Sequence, residues 1–127
     1  YFKNLVEDII KSYNIEKNIQ LITDIDNVKL EEKKIMPLGL IINEIITNAL
    51  KYAFEGRQHG NITVGLKELE NGNCELYIGD DGIGSYEEEN TRSGLGMKLV
   101  HILIGQINGK LIRLSGPGTN FKIQFSK

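Results

Sequence analysis

Polar side chains interrupt a stretch of sequence that is otherwise strongly apolar. The stretch lies within residues 33–54, and the polar residues in it that could do chemistry are Asn43, Glu44, Asn48 and Lys51. Burial of such groups is costly unless each finds a partner, so a bound ligand would explain their presence. Glu44 and Asn48 are four residues apart and share a helix face, where their oxygens suit Mg²⁺, and Lys51 could reach a phosphate. The spacing is equally compatible with four solvent-facing residues of an amphipathic helix.

Two glycine-containing segments could also contact a ligand. The first is Asp80-Asp81-Gly82-Ile83-Gly84, and the second is Gly94-Leu95-Gly96. In the first, glycine lets the backbone approach a planar ligand while a carboxylate accepts a hydrogen bond from an amino group. In the second, free N–H groups at the start of a predicted helix attract phosphate oxygens. Each has an ordinary alternative, an acidic turn or a plain helix start, and neither matches the dinucleotide or P-loop fingerprints.

The composition argues against several other classes of protein. Lysine and arginine number 15 against 17 aspartate and glutamate, a net charge of -2, so we predict no nucleic-acid binding. The single cysteine, Cys74, excludes an intrachain disulfide, and with His59 and His101 it forms no metal-binding pattern. We predict a cytoplasmic location without direct membrane contact, and a partly buried, structural role for His101.

Hydrophobic periodicity predicts three helices and five strands in the order helix, strand, helix, two strands, helix, two strands. The helices are predicted at about residues 2–13, 33–54 and 95–107, and the strands at about 19–25, 62–66, 74–78, 111–114 and 121–125. The second helix is apolar nearly all round, so we expect it to be central and deeply buried. This order predicts an α+β fold, a two-layer α/β sandwich in which the helices cover one face of a mixed five-stranded sheet. The 127 residues suit a single domain over residues 1–127, which we predict to be excised from a longer chain.

Four segments, taken in order, resemble the ATP-site boxes of the GHKL superfamily, which comprises sensor histidine kinases, type II topoisomerases, Hsp90 and MutL. The segments are Asn43 to Phe54, Asp80 to Gly84, Gly94 to Met97 and Gly118 to Phe121. The run from Pro37 to Phe54 and the short chain are most similar to the catalytic domain of a sensor histidine kinase with a compact ATP lid. The resemblance covers about residues 1–126, and it implies the Bergerat fold with ATP and Mg²⁺ as ligands.

On the phosphate side of the site, the resemblance implies three catalytic residues. Asn48 would bind the magnesium that bridges the phosphates, Glu44 would position one of its waters or act as a general base, and Lys51 would contact phosphate. Asn43 and Tyr52 would also contact the nucleotide. Tyr52 stands where this subfamily often has histidine.

On the base side, the resemblance implies that Asp80 reads adenine and that Thr119 supports the hydrogen bonds around it. The segment Gly82-Ile83-Gly84 would make room for the base. Residues 85–93 would form the ATP lid, and its hinge and phosphate-facing end would be Gly94-Leu95-Gly96-Met97.

The resemblance implies transfer of the γ-phosphate of Mg-ATP to a histidine on a separate dimerisation domain, within a homodimeric two-component kinase that acts on a response regulator. That domain, with its phosphoacceptor histidine, is not in the sequence. Two alternatives remain open: a GHKL serine kinase or ATPase, and a non-catalytic nucleotide-sensing module.

Overall fold

A five-stranded mixed sheet forms one layer of the fold. The structure, a computed structural model, describes residues 1–13, 18–54, 56, 58–82, 97–116 and 118–126. The strands in these ranges are β1 (Asn18–Ile25), β2 (His59–Glu68), β3 (Asn73–Asp80), β4 (Lys110–Leu114) and β5 (Thr119–Ser126), in the order β1-β2-β3-β5-β4. The first two strands are parallel, and the other neighbouring pairs are antiparallel.

Helices form the second layer. The described ranges contain three α-helices: α1 (Phe2–Tyr13), α2 (Glu32–Asn48) and α3, which covers residues 97–106. A π-helical turn, Ala49–Ala53, continues α2. None of these helices has the length and hydrophobicity needed to cross a membrane.

A single apolar core joins the two layers. Its strand residues alternate along each strand, as in Ile62, Val64 and Leu66 of β2, so one face of the sheet is buried. The helices contribute residues at helical spacing, including Ile41 and Ile45 of α2. The predicted α+β sandwich, with its helices on one face of a mixed sheet, is confirmed.

The predicted environments of the second and third helices need two corrections. The apolar residues of α2 do not all enter the core, since Met36 is 71% exposed and Leu40 is 43% exposed. His101 is exposed on α3, so the prediction of a partly buried, structural histidine is wrong. Its neighbours along the helix, Leu103 and Ile104, supply the buried contacts instead.

Candidate functional site

The last residue of β3, Asp80, is a buried carboxylate at the centre of the sheet. It lies opposite Ile62 of β2 on one side and Thr119 of β5 on the other, and it is 7% exposed. Its Oδ1 accepts hydrogen bonds from the backbone N–H groups of Gly82, at 2.9 Å, and Thr119, at 3.3 Å. Because charged acceptors form stronger hydrogen bonds than neutral ones, these two donors fix the orientation of the carboxylate.

Thr119 is the residue of β5 that pairs with Asp80, and its hydroxyl is the second polar group of interest. Thr119 is 2% exposed, and its Oγ1 has no hydrogen-bond partner among the residues that the structure describes. A buried polar group without a partner costs about 1 to 3 kcal/mol. The hydroxyl is therefore a group that a polar ligand, or a water bound with it, can satisfy.

Gly118 permits the close approach of β5 to Asp80. Its φ is +73°, and a Cβ atom at this position would lie 1.9 Å from the backbone oxygen of Asp80. Both the dihedral angle and the contact demand glycine. The pairing of Asp80 with Thr119 consequently depends on the residue before Thr119.

The second set of predicted site residues lies at the end of α2. Asn48 is its last residue and is 9% exposed, whereas Asn43 and Glu44 are half-buried. Lys51 is exposed on the π-helical turn. Turns of this kind occur frequently at functional sites, because they change which side chains share a helix face.

The oxygen atoms at the end of α2 suit a magnesium ion that is held mainly by phosphates. Mg²⁺ is commonly bound by one or two protein oxygens together with water and substrate phosphates, and Glu44 and Asn48 provide such oxygens. Among the described residues, no group of three histidine, cysteine, aspartate or glutamate side chains could hold a metal without such a ligand. The candidate metal site is therefore one that the nucleotide itself would complete.

Not every predicted site residue can be located. Asp80, Gly82 and Thr119 are joined by hydrogen bonds, and Met97 is half-buried at the start of the described part of α3. Outside the described residues lie Ile83, Gly84, Gly94, Leu95, Gly96 and the predicted lid, residues 85–93. The side chain of Tyr52 is likewise not among the side chains that the structure describes.

Two residues that contact Asp80 or its neighbour Asp81 were not predicted as site residues. Gly118 belongs to the fourth segment that resembles the family, Gly118 to Phe121. Its close approach to Asp80 results from the pairing of β3 with β5. Asn61 of β2 binds the carboxylate of Asp81 through its backbone and side-chain N–H groups, each at 2.8 Å. No local signal marks Asn61, because this contact depends on the register of β2 against β3.

Lys67 has a perturbed pKa, but it lies towards the other end of β2. Its hydrogen bond to the Asp24 carboxylate is the largest of the effects that raise its pKa above 10.5, and Asp26 adds to the shift. A raised lysine pKa adds stability below the unfolded value, and this contribution is lost as the pH rises through the folded value. Because its pKa is raised above 10.5, Lys67 stays protonated near neutral pH.

Comparison with protein families and curated proteins identifies relatives of the chain. The profile of the histidine kinase-, DNA gyrase B-, and HSP90-like ATPase family matches residues 33–127. Blue-light-activated histidine kinase 2 of Erythrobacter litoralis (strain HTCC2594) is 27% identical over 108 residues. That match covers 83% of this chain and 30% of the relative, so the chain spans less than a third of the relative's length.

Solved structures of histidine kinases share the fold. The histidine kinase domain of the Erythrobacter litoralis EL346 blue-light activated histidine kinase has a TM-score of 0.88 at 23% identity, over 98% of this chain and 62% of that one. The Acinetobacter baumannii histidine kinase AdeS has a TM-score of 0.72 at 22% identity, over 98% of this chain and 64% of that one. The resemblance inferred from the four sequence segments is confirmed.

Proposed function

Since the chain belongs to the histidine kinase-, DNA gyrase B-, and HSP90-like ATPase family, we propose that it is the ATP-binding catalytic domain of a sensor histidine kinase. The observation that carries this proposal is the buried pair of Asp80 and Thr119. A carboxylate held by two backbone donors is paired across the strands with a threonine whose hydroxyl has no partner in the described part of the chain. This arrangement suits a planar base that carries an amino group.

The Asp80 carboxylate would favour adenine over guanine. Adenine presents an exocyclic amino group, which can donate a hydrogen bond to Asp80. Guanine presents a carbonyl oxygen at the same position, which would face the carboxylate without a proton between them. A hydrogen bond to a charged group contributes about 1.5 to 3 kcal/mol, so the preference is at least about tenfold.

The end of α2 would bind the phosphates. Asn48 and Glu44 would hold magnesium through oxygen atoms, and exposed Lys51 would reach a phosphate oxygen. When bound, ATP supplies the γ-phosphoryl group, and its magnesium ion would partly neutralise the phosphate charge. The protein residues then contribute binding and orientation, which provide much of the rate enhancement in phosphoryl transfer.

The acceptor would be a histidine on a separate dimerisation domain. Its ring nitrogen forms a bond to the γ-phosphorus while the bond from that phosphorus to the ADP oxygen breaks, and ADP leaves. Glu44 would accept the proton released during transfer or orient a water for that purpose. The resulting phosphohistidine would then donate to a response regulator.

Titration calorimetry tests nucleotide recognition directly. The unmodified chain should bind Mg-ATP at least about tenfold more tightly than Mg-GTP. Asp80→Asn should weaken ATP binding by at least about tenfold. The Gly82 and Thr119 N–H groups would retain the amide oxygen, so the amide nitrogen would face the base, and it cannot accept from the adenine amino group. Equal affinities for ATP and GTP in the unmodified chain would contradict the assignment of Asp80.

The acceptor requires a second experiment. The full-length protein, incubated with ATP labelled at the γ-phosphate, should become labelled at an acid-labile and base-stable site, as expected for phosphohistidine. Acid-stable label on serine would support the serine kinase alternative. Nucleotide binding without transfer or hydrolysis would support a sensing module.

A further inference from the structure

Asn61 and Asp81 form a paired contact on the sheet face opposite the helices. The backbone N–H of Asn61 donates to Asp81 Oδ1, and the Asn61 side-chain Nδ2 donates to Asp81 Oδ2, each at 2.8 Å. The backbone N–H of Asp81 donates in return to the Asn61 carbonyl at 3.3 Å. Three hydrogen bonds thus join two residues beyond the last paired residues of β2 and β3, Ile62 and Asp80.

The alternation of side chains places this contact behind the candidate base site. Asp80 shares its strand face with the core residues Leu76 and Ile78, whereas Asp81 follows it and extends to the other face. Asn61 likewise precedes the core residue Ile62. The pair can therefore act on a bound base only through the backbone that it holds.

That backbone is the segment which orients the carboxylate of Asp80. Gly82, whose N–H donates to Asp80 Oδ1, comes directly after Asp81. Restraining Asp81 at three points restrains the peptide units on both sides of it, one leading from Asp80 and the other to Gly82. A displacement of Asp81 would move the Gly82 donor and rotate the carboxylate that it holds.

We propose that Asn61 is a positioning residue for base recognition, acting through Asp81 and Gly82 on the Asp80 carboxylate. The proposal rests on the adenine-reading role proposed above. It gives Asn61 an effect on the choice between bases, although Asn61 faces away from the base. If the contact between Asn61 and Asp81 only held the strand ends together, its loss would lower the stability of the fold and leave base preference unchanged.

An exchange of the two side chains tests this proposal. Asn61→Asp places two carboxylates against each other, and their repulsion should separate the pair. The double variant Asn61→Asp with Asp81→Asn again opposes one carboxylate with one carboxamide, so it should restore the contact. In Asp81→Asn alone, the oxygen of the introduced carboxamide can still accept from the Asn61 backbone N–H. Its amino group can donate to the side-chain oxygen of Asn61 once the Asn61 side-chain amide has rotated.

The readout is the ratio of the ATP and GTP dissociation constants, measured with Mg²⁺ below the melting temperature of every variant. Asn61→Asp should weaken ATP binding about tenfold and reduce the preference for ATP, as expected for a misplaced charged acceptor. Asp81→Asn alone and the double variant should remain within about threefold of the unmodified chain. If Asn61→Asp does not fold, Asn61→Ser gives the same test without a new charge, with a loss of preference of about threefold.

A matched control lies on the same sheet face. Glu75 of β3 pairs with Lys122 of β5 at 3.2 Å, and Glu75→Lys creates cross-strand repulsion away from Asp80. It should lower the melting temperature and leave the ratio unchanged. The inference is overturned if Asn61→Asp behaves like this control, or if the double variant fails to restore the ratio. Absence of any ATP preference in the unmodified chain would instead contradict the proposed function, and the inference with it.

Discussion

The two ends of the candidate site differ in how their polar groups are held. Asp80 is fixed by backbone N–H groups from Gly82 and Thr119, which come from segments far apart in sequence. The polar side chains at the other end, including Asn48 and Lys51, extend from α2 and its π-helical turn. One end is therefore built by strand pairing, and the other by the course of a single helix.

Under the proposed function, this difference separates two tasks. Strand pairing produces a rigid acceptor, which suits selection between bases, because a misplaced partner would leave a buried charge unsatisfied. Side chains on a helix end can adjust to phosphates and a metal ion, whose positions change during phosphoryl transfer. We therefore expect changes at β3 and β5 to alter base selectivity, and changes at α2 to alter the response to magnesium and phosphate.

The largest effect is expected at Gly118. Gly118→Ala would place a Cβ atom 1.9 Å from the Asp80 backbone oxygen in addition to straining a positive φ, so β5 must move. We expect a loss of about 2 kcal/mol or more in the free energy of unfolding, with much weaker ATP binding. Denaturant unfolding and calorimetry measure the two effects.

Gly72 provides the matched control. Its φ is +75°, nearly that of Gly118, but no atom lies within 4 Å of the added Cβ. Gly72→Ala should lower stability by the backbone strain alone and leave ATP affinity unchanged. If Gly118→Ala resembled it in both measurements, the close approach of β5 to Asp80 would not matter for binding.

At the helix end, Asn48→Ala should remove the magnesium dependence of ATP binding. Without the carboxamide oxygen, affinity in the presence of Mg²⁺ should fall about tenfold, and the remaining binding should respond little to chelation. Thr47→Ala, at the adjacent half-buried position, should retain the response. An unchanged response in Asn48→Ala would disprove the metal-binding role.

A smaller effect is expected at Thr119, where the hydroxyl can be removed with little change in shape. Since Oγ1 has no partner among the described residues, Thr119→Val should leave the free energy of unfolding unchanged or slightly raised. ATP binding should weaken by about 0.5 to 1.5 kcal/mol, whereas Thr119→Ser should retain it. Unaltered ATP affinity in Thr119→Val would show that the hydroxyl does not serve the base.

The smallest effect is expected at Lys51, because its exposed charge is screened by solvent and salt. Lys51→Gln should weaken ATP binding by a few-fold at low salt and have no effect on adenosine, which lacks phosphates. Calorimetry with both ligands at two salt concentrations would reveal this. A similar loss for adenosine would indicate that Lys51 acts on the base side instead.

Periodicity predicted the elements that carry both ends of the site but not all of their geometry. Alternating apolar residues indicated the strands of Asp80 and Thr119. The pairing of these two residues depends on register between distant strands, which alternation does not encode. The resemblance to a family therefore indicated Thr119, whereas the contact between Asn61 and Asp81 required coordinates.

The end of α2 illustrates a different limit. A helix was predicted to continue to Phe54, and the chain does remain helical to Ala53, but as a π-helical turn from Ala49. Side-chain patterns indicate which face of a helix is buried. The change from an α-helix to a π-helix depends instead on which backbone groups form hydrogen bonds with each other. Lys51 lies on this π-helical turn and is exposed.

The sheet order also has a consequence for how the chain folds. The strands β2 and β3 are joined by the short turn Glu70–Gly72, and β4 and β5 by residues 115–118, so each pair can close locally at small entropic cost. Asp80 belongs to the first hairpin and Thr119 to the second, so the candidate base site forms only after the slower, non-local joining of the two hairpins. A nucleotide that contacts both would favour the complete sheet over partly folded chains.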